Sequence, residues 1–369
     1  MPAGESCMPP FVLLELLIFI KHKRKTMRCL LLLLLLPFSS CRNISEANKE
    51  DTTTKKMPVY QTTGKIIALS PRLNHILDTS ARIEIIAEGY DWAEGPLWLE
   101  KEQMLIWSDV PKNTIYSWKE GEGASVYLQP SGYTSDVPRS GETGSNGLLL
   151  SPAGKLVLCQ HGDRRMAMMD APLSAPGAKF ITVAGQYEGQ RFNSPNDAAY
   201  DQDGHLYFTD PPYGLEKQMN DPSKEIPFQG VYRVSPEGAV FLLTAELSRP
   251  NGIAFSPDFS KCYVANSDPE RAIWMVYEVD KDKKFTNGKV FFDATSMVES
   301  TPGLPDGLKV NKEGILFATG PGGVLVFTPE GEHLGTISTG QATANCALNT
   351  DESVLYMTAD MYIARIALR

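Results

Sequence analysis

Six residues with oxygen-bearing side chains recur at comparable positions along the 369-residue chain, each at the start of an apolar run. We call them the lead residues; they are Glu94, Asn146, Asn196, Asn251, Asp306 and Asn345. If their side chains meet, they form a ligand set of carboxylate and amide oxygens without His or Cys. Such a set suits Ca²⁺ or Mg²⁺ better than Zn²⁺ or copper.

The elements that position the lead residues repeat along the chain. Each lead residue opens a strand of about five residues, followed by a turn with Asp, Gly or Lys and then by a second strand, as in "NDAAYDQDGHLYFTD" and "NGIAFSPDFSKCYVAN". The six copies begin between 39 and 55 residues apart. A repeat of this length with several strands per unit predicts an all-β fold, a six-bladed β-propeller over residues 59–369.

The last copy is too short to supply a complete blade. We expect the run "ARIEIIAEG" at residues 81–89 to add the missing outer strand and close the ring, which removes exposed sheet edges. The innermost strand of each blade lines the central channel of a propeller, so the lead residues are predicted to form a ring around it. The alternative is that pairs such as Asn251-Gly252 and Asp306-Gly307 only shape turns, where Asn-Gly and Asp-Gly are common.

The N-terminal segment differs from the rest of the chain. "KHKRKTMRCLLLLLLLPFSSC" has the basic cluster, short apolar core and small residues of a secretory signal. Cys41 follows as in a bacterial lipobox, although Phe38 stands where Leu is usual. We therefore expect a leader over residues 1–41 and a flexible linker over 42–58.

The protein would be exported, to the bacterial periplasm or as an outer-membrane-anchored lipoprotein; a signal anchor is the alternative. Met27 as the start would make residues 1–26 an upstream extension.

Charge and cysteine content narrow the function classes. The net charge of −9 and the absence of a basic patch argue against nucleic-acid binding. Contact with a membrane is expected only through the leader, and we expect a monomer. Cys159, Cys262 and Cys346 are scattered, which predicts core packing rather than a disulfide framework or a zinc site.

Four motifs resemble the SMP-30/gluconolactonase/LRE family. They are "EGPLW", "NSPNDAAYDQDGHLYFTDPPYGL", "RPNGIAFSPD" and "LPDGLKVNKEGILFATG", and the resemblance covers residues 88–369. It implies a six-bladed propeller with a divalent cation in its channel, expected to be Ca²⁺, with Zn²⁺, Mn²⁺ and Mg²⁺ left open. Glu94, Asn251 and Asp306 match metal ligands of the family, and Asn196 matches an Asn that contributes a cation or substrate contact; we expect all four to bind the metal. Asp306 also matches the family's proposed general base or nucleophile.

The resemblance also implies an activity, the metal-dependent opening of a sugar lactone. Asn146 is expected to contact the substrate above the metal. "CQHGDRR" resembles a stretch of bacterial members that would place His161 and Arg164 near the mouth of the channel as substrate-binding residues. A strand-end histidine bonded to a backbone carbonyl is the alternative for His161. Another lactonase or arylesterase on the same site and a non-catalytic binding module are the alternative functions.

Overall fold

The computed structural model describes residues 58–369, and the leader of residues 1–41 and nearly all of the linker of residues 42–58 lie outside the described residues. The described part begins with three strands, β1 (Gln61–Thr63), β2 (Lys65–Ala68) and β3 (Ile83–Glu88). A 3₁₀ helix, Pro71–His75, separates β2 from β3. No helix within residues 58–369 has the length and apolar character needed to cross a membrane.

Four-stranded antiparallel sheets follow as the blades of a propeller, each starting with its innermost strand. Blade 1 contains β4 (Ala93–Leu99), β5 (Met104–Asp109), β6 (Thr114–Lys119) and β7 (Gly123–Leu128). Blade 2 contains β8 (Ser145–Leu150), β9 (Leu156–Gln160), β10 (Arg165–Met169) and β11 (Phe180–Ala184), and a hairpin of β12 (Gln186–Tyr187) and β13 (Gln190–Arg191) follows. Blade 3 contains β14 (Ala198–Tyr200), β15 (Leu206–Asp210), β16 (Gly230–Val234) and β17 (Val240–Thr244), with a 3₁₀ turn at Gln218–Asn220.

The second half of the ring has longer strands in its first blade. Blade 4 contains β18 (Pro250–Phe255), β19 (Lys261–Asp268), β20 (Arg271–Val279) and β21 (Phe285–Asp293), followed by a 3₁₀ turn at Thr295–Met297. Blade 5 contains β22 (Leu308–Val310), β23 (Leu316–Gly320), β24 (Gly323–Phe327) and β25 (His333–Ser338). Blade 6 contains only β26 (Thr343–Leu348), β27 (Val354–Ala359) and β28 (Tyr362–Ala367) from this end of the chain.

The N-terminal strands complete the last two blades. β3 pairs with β28 as the fourth strand of blade 6, and β1 pairs with β3 as a fifth. β2 then pairs with β25 at the outer edge of blade 5. The predicted six-bladed propeller closed by an N-terminal strand is confirmed, and the segment of β1 and β2 extends across two blades.

Apolar clusters between neighbouring blades hold the ring together. The cluster between blades 6 and 1 joins Tyr356 and Ile363 to Leu105, Trp107 and Trp118, all nearly inaccessible to solvent. Equivalent clusters lie between each of the other pairs of neighbouring blades. Cys159, Cys262 and Cys346, the free cysteines within residues 58–369, are buried in these clusters, as predicted. Burial of apolar surface between all the blades therefore stabilises a closed circle rather than an open stack.

The inner strands approach one another closely around the channel. The Gly147 amide donates to the carbonyl of Asn196 in the next blade at 2.7 Å, and the Gly307 amide donates to Ala344 at 2.8 Å. A side chain at Gly252 would place its Cβ 2.3 Å from the carbonyl oxygen of Asp306. Since Gly147 and Gly252 lie within β8 and β18, their Asn-Gly pairs are not turns. Glycine follows four of the six lead residues, and at each of these glycines the neighbouring blade fills the space of a side chain.

We therefore expect Gly252→Ala to lower the free energy of unfolding by about 2–3 kcal/mol, because the added methyl group overpacks the contact between blades 4 and 5. Chemical denaturation measures the effect. Gly177→Ala is the matched control, since a Cβ there would lie 3.7 Å from the Cβ of Ala171, an ordinary contact. Equal stability of the two variants would contradict the close approach of the inner strands.

Candidate active site

A cavity of about 470 Å³ opens at the central channel, and five of the six lead residues line it. They are Glu94, Asn146, Asn196, Asn251 and Asp306. Irregular pairing at the start of inner strands helps to aim these side chains. Register shifts occur between Glu94 and Leu97, between Ser145 and Leu148, and between Pro250 and Ile253. Such β-bulges redirect side chains next to functional sites.

Asn251 is oriented by a hydrogen-bond chain that crosses to the next blade. Its amide nitrogen donates to the hydroxyl of Ser267 at 2.9 Å, and Ser267 in turn donates to the carbonyl of Pro305. The amide nitrogen is thereby held on the side of β19, which leaves the Oδ1 atom of Asn251 without a hydrogen-bond partner although it is buried. Asn251 in β18 thus presents the oxygen of its amide, rather than the N–H group, to another partner.

Glu94 and Asp306 bring two carboxyl groups into the same buried cavity. Burial raises the pKa of Glu94 to about 8, although its Oε2 atom accepts a hydrogen bond from the amide of Gly95 at 3.1 Å. Burial and then the negative charge of Glu94 raise the pKa of Asp306 well above its usual value. No ion pair among residues 58–369 includes either carboxylate. The two groups therefore lack the positive charge that would let both ionise.

Three oxygens of the cavity-lining lead residues are buried without any hydrogen-bond partner: Oδ1 of Asn146, Oδ1 of Asn251 and Oδ1 of Asp306. No group within residues 58–369 donates to these three oxygens, so they remain available to a ligand in the cavity. A hard divalent cation fits these donors, because it takes oxygen ligands and supplies the charge that two buried carboxylates require.

Asn345, the sixth lead residue, does not line the cavity. Its Oδ1 atom accepts a hydrogen bond from the amide of Cys346 at 2.8 Å and lies 3.5 Å from Nζ of Lys309. Lys309 also lies 4.0 Å from Oδ2 of the buried Asp197. These three side chains form a second polar group of the channel, in which a lysine rather than a metal balances the carboxylate.

Two aspartates at the ends of second strands position the segments that lead into the site. Asp109 accepts hydrogen bonds from the amides of Asp91 and Trp92, and Asp210 accepts from the amides of Asn193 and Ser194 at 2.8 Å. Both carboxylates are buried and cap the loop just before a lead residue. Asp109 and Asp210 therefore hold Glu94 and Asn196 in place without lining the cavity.

The remaining walls come from loops between the blades. Trp92 and Tyr213 line the cavity, whereas Trp98 packs in the core against Tyr356 with ring centroids 5.5 Å apart. The segment of residues 298–304 contributes an apolar side that includes Val298, Pro302 and Leu304. Glu142, which sequence reasoning missed, adds a third carboxylate. One side of the cavity is therefore rich in oxygen atoms, and loop residues give it aromatic and aliphatic surface.

Of the two other predicted substrate-binding residues, neither lines the cavity. His161 is fully buried, with its Nδ1 atom 3.4 Å from Oε2 of Glu142, and neither ring nitrogen has a hydrogen-bond partner. The alternative of a histidine side chain bonded to a backbone carbonyl therefore does not apply. The guanidinium of Arg164 donates to the carbonyls of Phe192 and Ser223, at 2.7 and 2.9 Å, and thus joins two loops.

A separate group of potential metal ligands lies at the turn between β14 and β15. The ligand atoms of Asp201, Asp203 and His205 lie within 4.8 Å of one another. Asp201 also accepts hydrogen bonds from the amides of Asp203 and His205, and Nζ of Lys283 contacts both carboxylates. The lysine balances charge there, whereas no residue described does so for Glu94 and Asp306.

Comparison with known proteins gives one consistent relationship. A profile described as the SMP-30/Gluconolactonase/LRE-like region matches residues 92–360. A gluconolactonase of Zymomonas mobilis is 40% identical over 316 residues, which span 83% of this chain and 86% of that protein. A pentonolactonase of Haloferax volcanii is 24% identical over 78% of this chain and 84% of its own length. The solved structure of a gluconolactonase from Xanthomonas campestris superposes with a TM-score of 0.72 at 28% identity, over 85% of this chain and 98% of that one.

The raised pKa values predict how pH affects the metal-free protein. A carboxyl group whose pKa is higher in the folded than in the unfolded state stabilises the fold fully below its unfolded pKa, and this contribution is lost as the pH rises through the folded pKa. We therefore expect the melting temperature in chelator to fall between about pH 5 and pH 8.5, as Glu94 is forced to ionise.

The variant Glu94→Gln/Asp306→Asn serves as the comparison, since it keeps the shape of both side chains without their titration. Its melting temperature should vary less with pH over the same range. Parallel pH profiles for the wild-type protein and this variant would show that the two carboxyl groups are not the cause.

Proposed function

Because this chain belongs to the SMP-30/gluconolactonase/LRE-like family, we propose that it opens a sugar lactone with the help of a divalent cation at the channel cavity. Lactone hydrolysis as the reaction class follows from the 40% identity to a gluconolactonase over most of both chains. The observation that carries the metal proposal is the group of buried, unpartnered oxygens beside two carboxyl groups that no cationic side chain within residues 58–369 balances. Ca²⁺ is the ion that we expect, because all the donors are oxygens.

Glu94, Asn196, Asn251 and Asp306 would hold the cation, and each comes from a different blade. A bound divalent cation would polarise the lactone carbonyl and stabilise the negative charge that develops on its oxygen. The two amides add ligand oxygens without adding charge, so two carboxylates and a doubly charged ion leave the cluster close to neutral. Asn251 is already oriented for this role by its hydrogen bond to Ser267.

Asp306 is our choice for the group that drives the hydrolytic step. Its Oδ1 atom makes no hydrogen bond to the protein, so the carboxylate is free to take a proton from the attacking water or to attack the carbonyl carbon itself. With water as the nucleophile, the bond between the carbonyl carbon and the ring oxygen then breaks, and the proton held by Asp306 passes to the departing ring oxygen. With Asp306 as the nucleophile, the ring opens to an acyl–Asp306 anhydride, the departing ring oxygen takes a proton from water, and the resulting hydroxide attacks the anhydride and releases the acid. Both routes consume one water and give the open-chain hydroxy acid.

The lining of the cavity is consistent with a sugar lactone. Such a ring carries hydroxyl groups as well as C–H faces, and the cavity offers both amide and carboxylate oxygens and the aromatic side chains of Trp92 and Tyr213. Aromatic side chains commonly pack against the C–H faces of small ligands in such mixed pockets. A lactone whose only functional group is the ester would leave several of the polar groups without partners.

The first test is the hydrolysis of glucono-1,5-lactone by the full chain. We expect acid release that is lost after treatment with chelator and is restored by added Ca²⁺, with Zn²⁺, Mn²⁺ and Mg²⁺ assayed in parallel. A pentonolactone, phenyl acetate and an acyl-homoserine lactone test the alternative substrate classes. Unchanged turnover after complete removal of divalent ions would refute the metal proposal.

The second test is Asp306→Asn, which keeps a ligand oxygen but removes the base. We expect hydrolysis to fall by about 10²–10⁴-fold, the range typical for the loss of an acid–base group. Calcium binding, measured by calorimetry, should weaken far less than turnover. Asn196→Asp is a matched control, because it alters the charge of a proposed ligand while leaving Asp306 in place. Near-wild-type turnover of Asp306→Asn would rule out the assigned role.

A further inference from the structure

The loop between β7 and β8, residues 129–144, carries a carboxylate that the proposed reaction does not yet use. Glu142 lines the channel cavity together with Glu94 and Asp306, and its side chain is 34% exposed. Because Glu142 and Asp306 line the same cavity, both can contact one bound molecule.

Glu142 belongs to a firmly anchored loop. At the start of the loop, the amides of Ser131, Gly132 and Tyr133 donate to Oδ1 of Asn113, which lies just before β6, at 3.1, 2.7 and 3.1 Å. Arg139 donates to the carbonyls of Gly162 and Gly214, which joins the loop to two other segments.

The residues on either side of Glu142 are anchored as well. The amide of Ser140 donates to Glu216 at 3.0 Å, and the amide of Gly144 donates to Val110 at 2.8 Å. The carbonyl of Gly144 also accepts a hydrogen bond from the amide of His161 at 3.2 Å. The backbone of Glu142 is thus held from both sides, which is how a binding group is kept in place before a ligand arrives.

The side chain of His161 lies behind the carboxylate. It is fully buried, and its Nδ1 atom lies 3.4 Å from Oε2 of Glu142. Gly214 leaves room for the His161 side chain, because a Cβ at Gly214 would lie 2.7 Å from the Cβ of His161. The 3.4 Å contact does not have hydrogen-bond geometry in this structure, so the buried ring limits the position of the Glu142 carboxylate by packing and stands beside it as a potential donor.

We propose that Glu142, oriented by the buried ring of His161, accepts hydrogen bonds from hydroxyl groups of the lactone and thereby selects polyhydroxylated substrates. This inference rests on the proposed function. A carboxylate offers about four lone-pair sites, so a contact with His161 leaves others directed at the ligand. Glu142 comes from the loop that connects blades 1 and 2, whereas the four proposed metal ligands lie in, or within two residues of, the inner strands of four blades. Asn146, with its unpartnered Oδ1 atom, lines the same cavity and offers a further hydroxyl contact.

The test compares glucono-1,5-lactone with δ-valerolactone, which has the same ring size and no hydroxyl groups. For Glu142→Gln and Glu142→Ala we expect the KM for glucono-1,5-lactone to rise by about 10- to 100-fold, the range for loss of a hydrogen bond to a charged group, with kcat within about threefold of wild type. The kcat/KM for δ-valerolactone should stay within about twofold. Asp136→Asn, which removes an exposed carboxylate from the same loop, is the matched control and should behave as wild type.

His161 is tested as a positioning residue with two variants. His161→Leu removes the donor and should raise the KM for glucono-1,5-lactone by about 3- to 10-fold, whereas His161→Asn keeps an N–H group near the position of Nδ1 and should restore most of the difference. Melting temperatures separate this effect from misfolding. If both variants fold and have the same KM, the positioning role is wrong. The Glu142 variants decide the proposal where a His161 variant does not fold.

Three results would overturn the proposal: an unchanged KM in both Glu142 variants, an equal loss with both lactones, or a weakened affinity for Ca²⁺ in calorimetry. If wild type does not open δ-valerolactone, the separate values of KM and kcat for glucono-1,5-lactone decide. A wild-type protein that opens neither lactone would instead refute the proposed function, so the two failures are distinguishable.

Discussion

The constraint on which this structure depends is the burial of acidic and amide oxygens around one axis without a balancing cation among the residues described. Glu94 and Asp306 come from blades 1 and 5, far apart along the chain, yet they line the same cavity. Burial raises the pKa of each of them, and three neighbouring oxygens have no hydrogen-bond partner. The proposed divalent cation would supply the positive charge that lets both carboxyl groups ionise.

Much of the rest of the fold serves to bring these oxygens together. The glycine after a lead residue allows the inner strands of adjacent blades to approach, and hydrogen bonds such as that from Gly147 to Asn196 join them. Asp109 and Asp210 hold the segments that enter the site. Six apolar clusters between the blades, together with the strand that β3 adds to blade 6, keep the ring closed. The cavity is therefore determined by contacts between blades, and less by any single strand.

The loops around the channel add aromatic, aliphatic and further acidic surface to the site. They contribute Trp92, Tyr213, Glu142 and an apolar segment, so the cavity combines oxygen atoms with aromatic and aliphatic surface. In the function that we propose, lead residues hold the cation and act on the ester, whereas loop residues contact the rest of the substrate. In a propeller the inner strands repeat from blade to blade, whereas the connecting loops vary in length and sequence, so the two sets of residues can differ independently.

The sequence by itself determined the fold class and the phase of the repeat, because both depend on local alternation of strands and turns. It also indicated the closure by the strand near residues 81–89, because the last repeat is one strand short of a complete blade. It also singled out Glu94, Asn146, Asn196, Asn251 and Asp306, which the structure places on one cavity. Only the tertiary structure decided that Asn345 pairs with Lys309 instead, and that Trp92 lines the cavity while Trp98 packs in the core. It also placed Glu142 opposite the carboxylates and His161 behind it. These outcomes depend on which blades and loops become neighbours, and contacts between residues distant in the chain leave no periodic signal in the sequence.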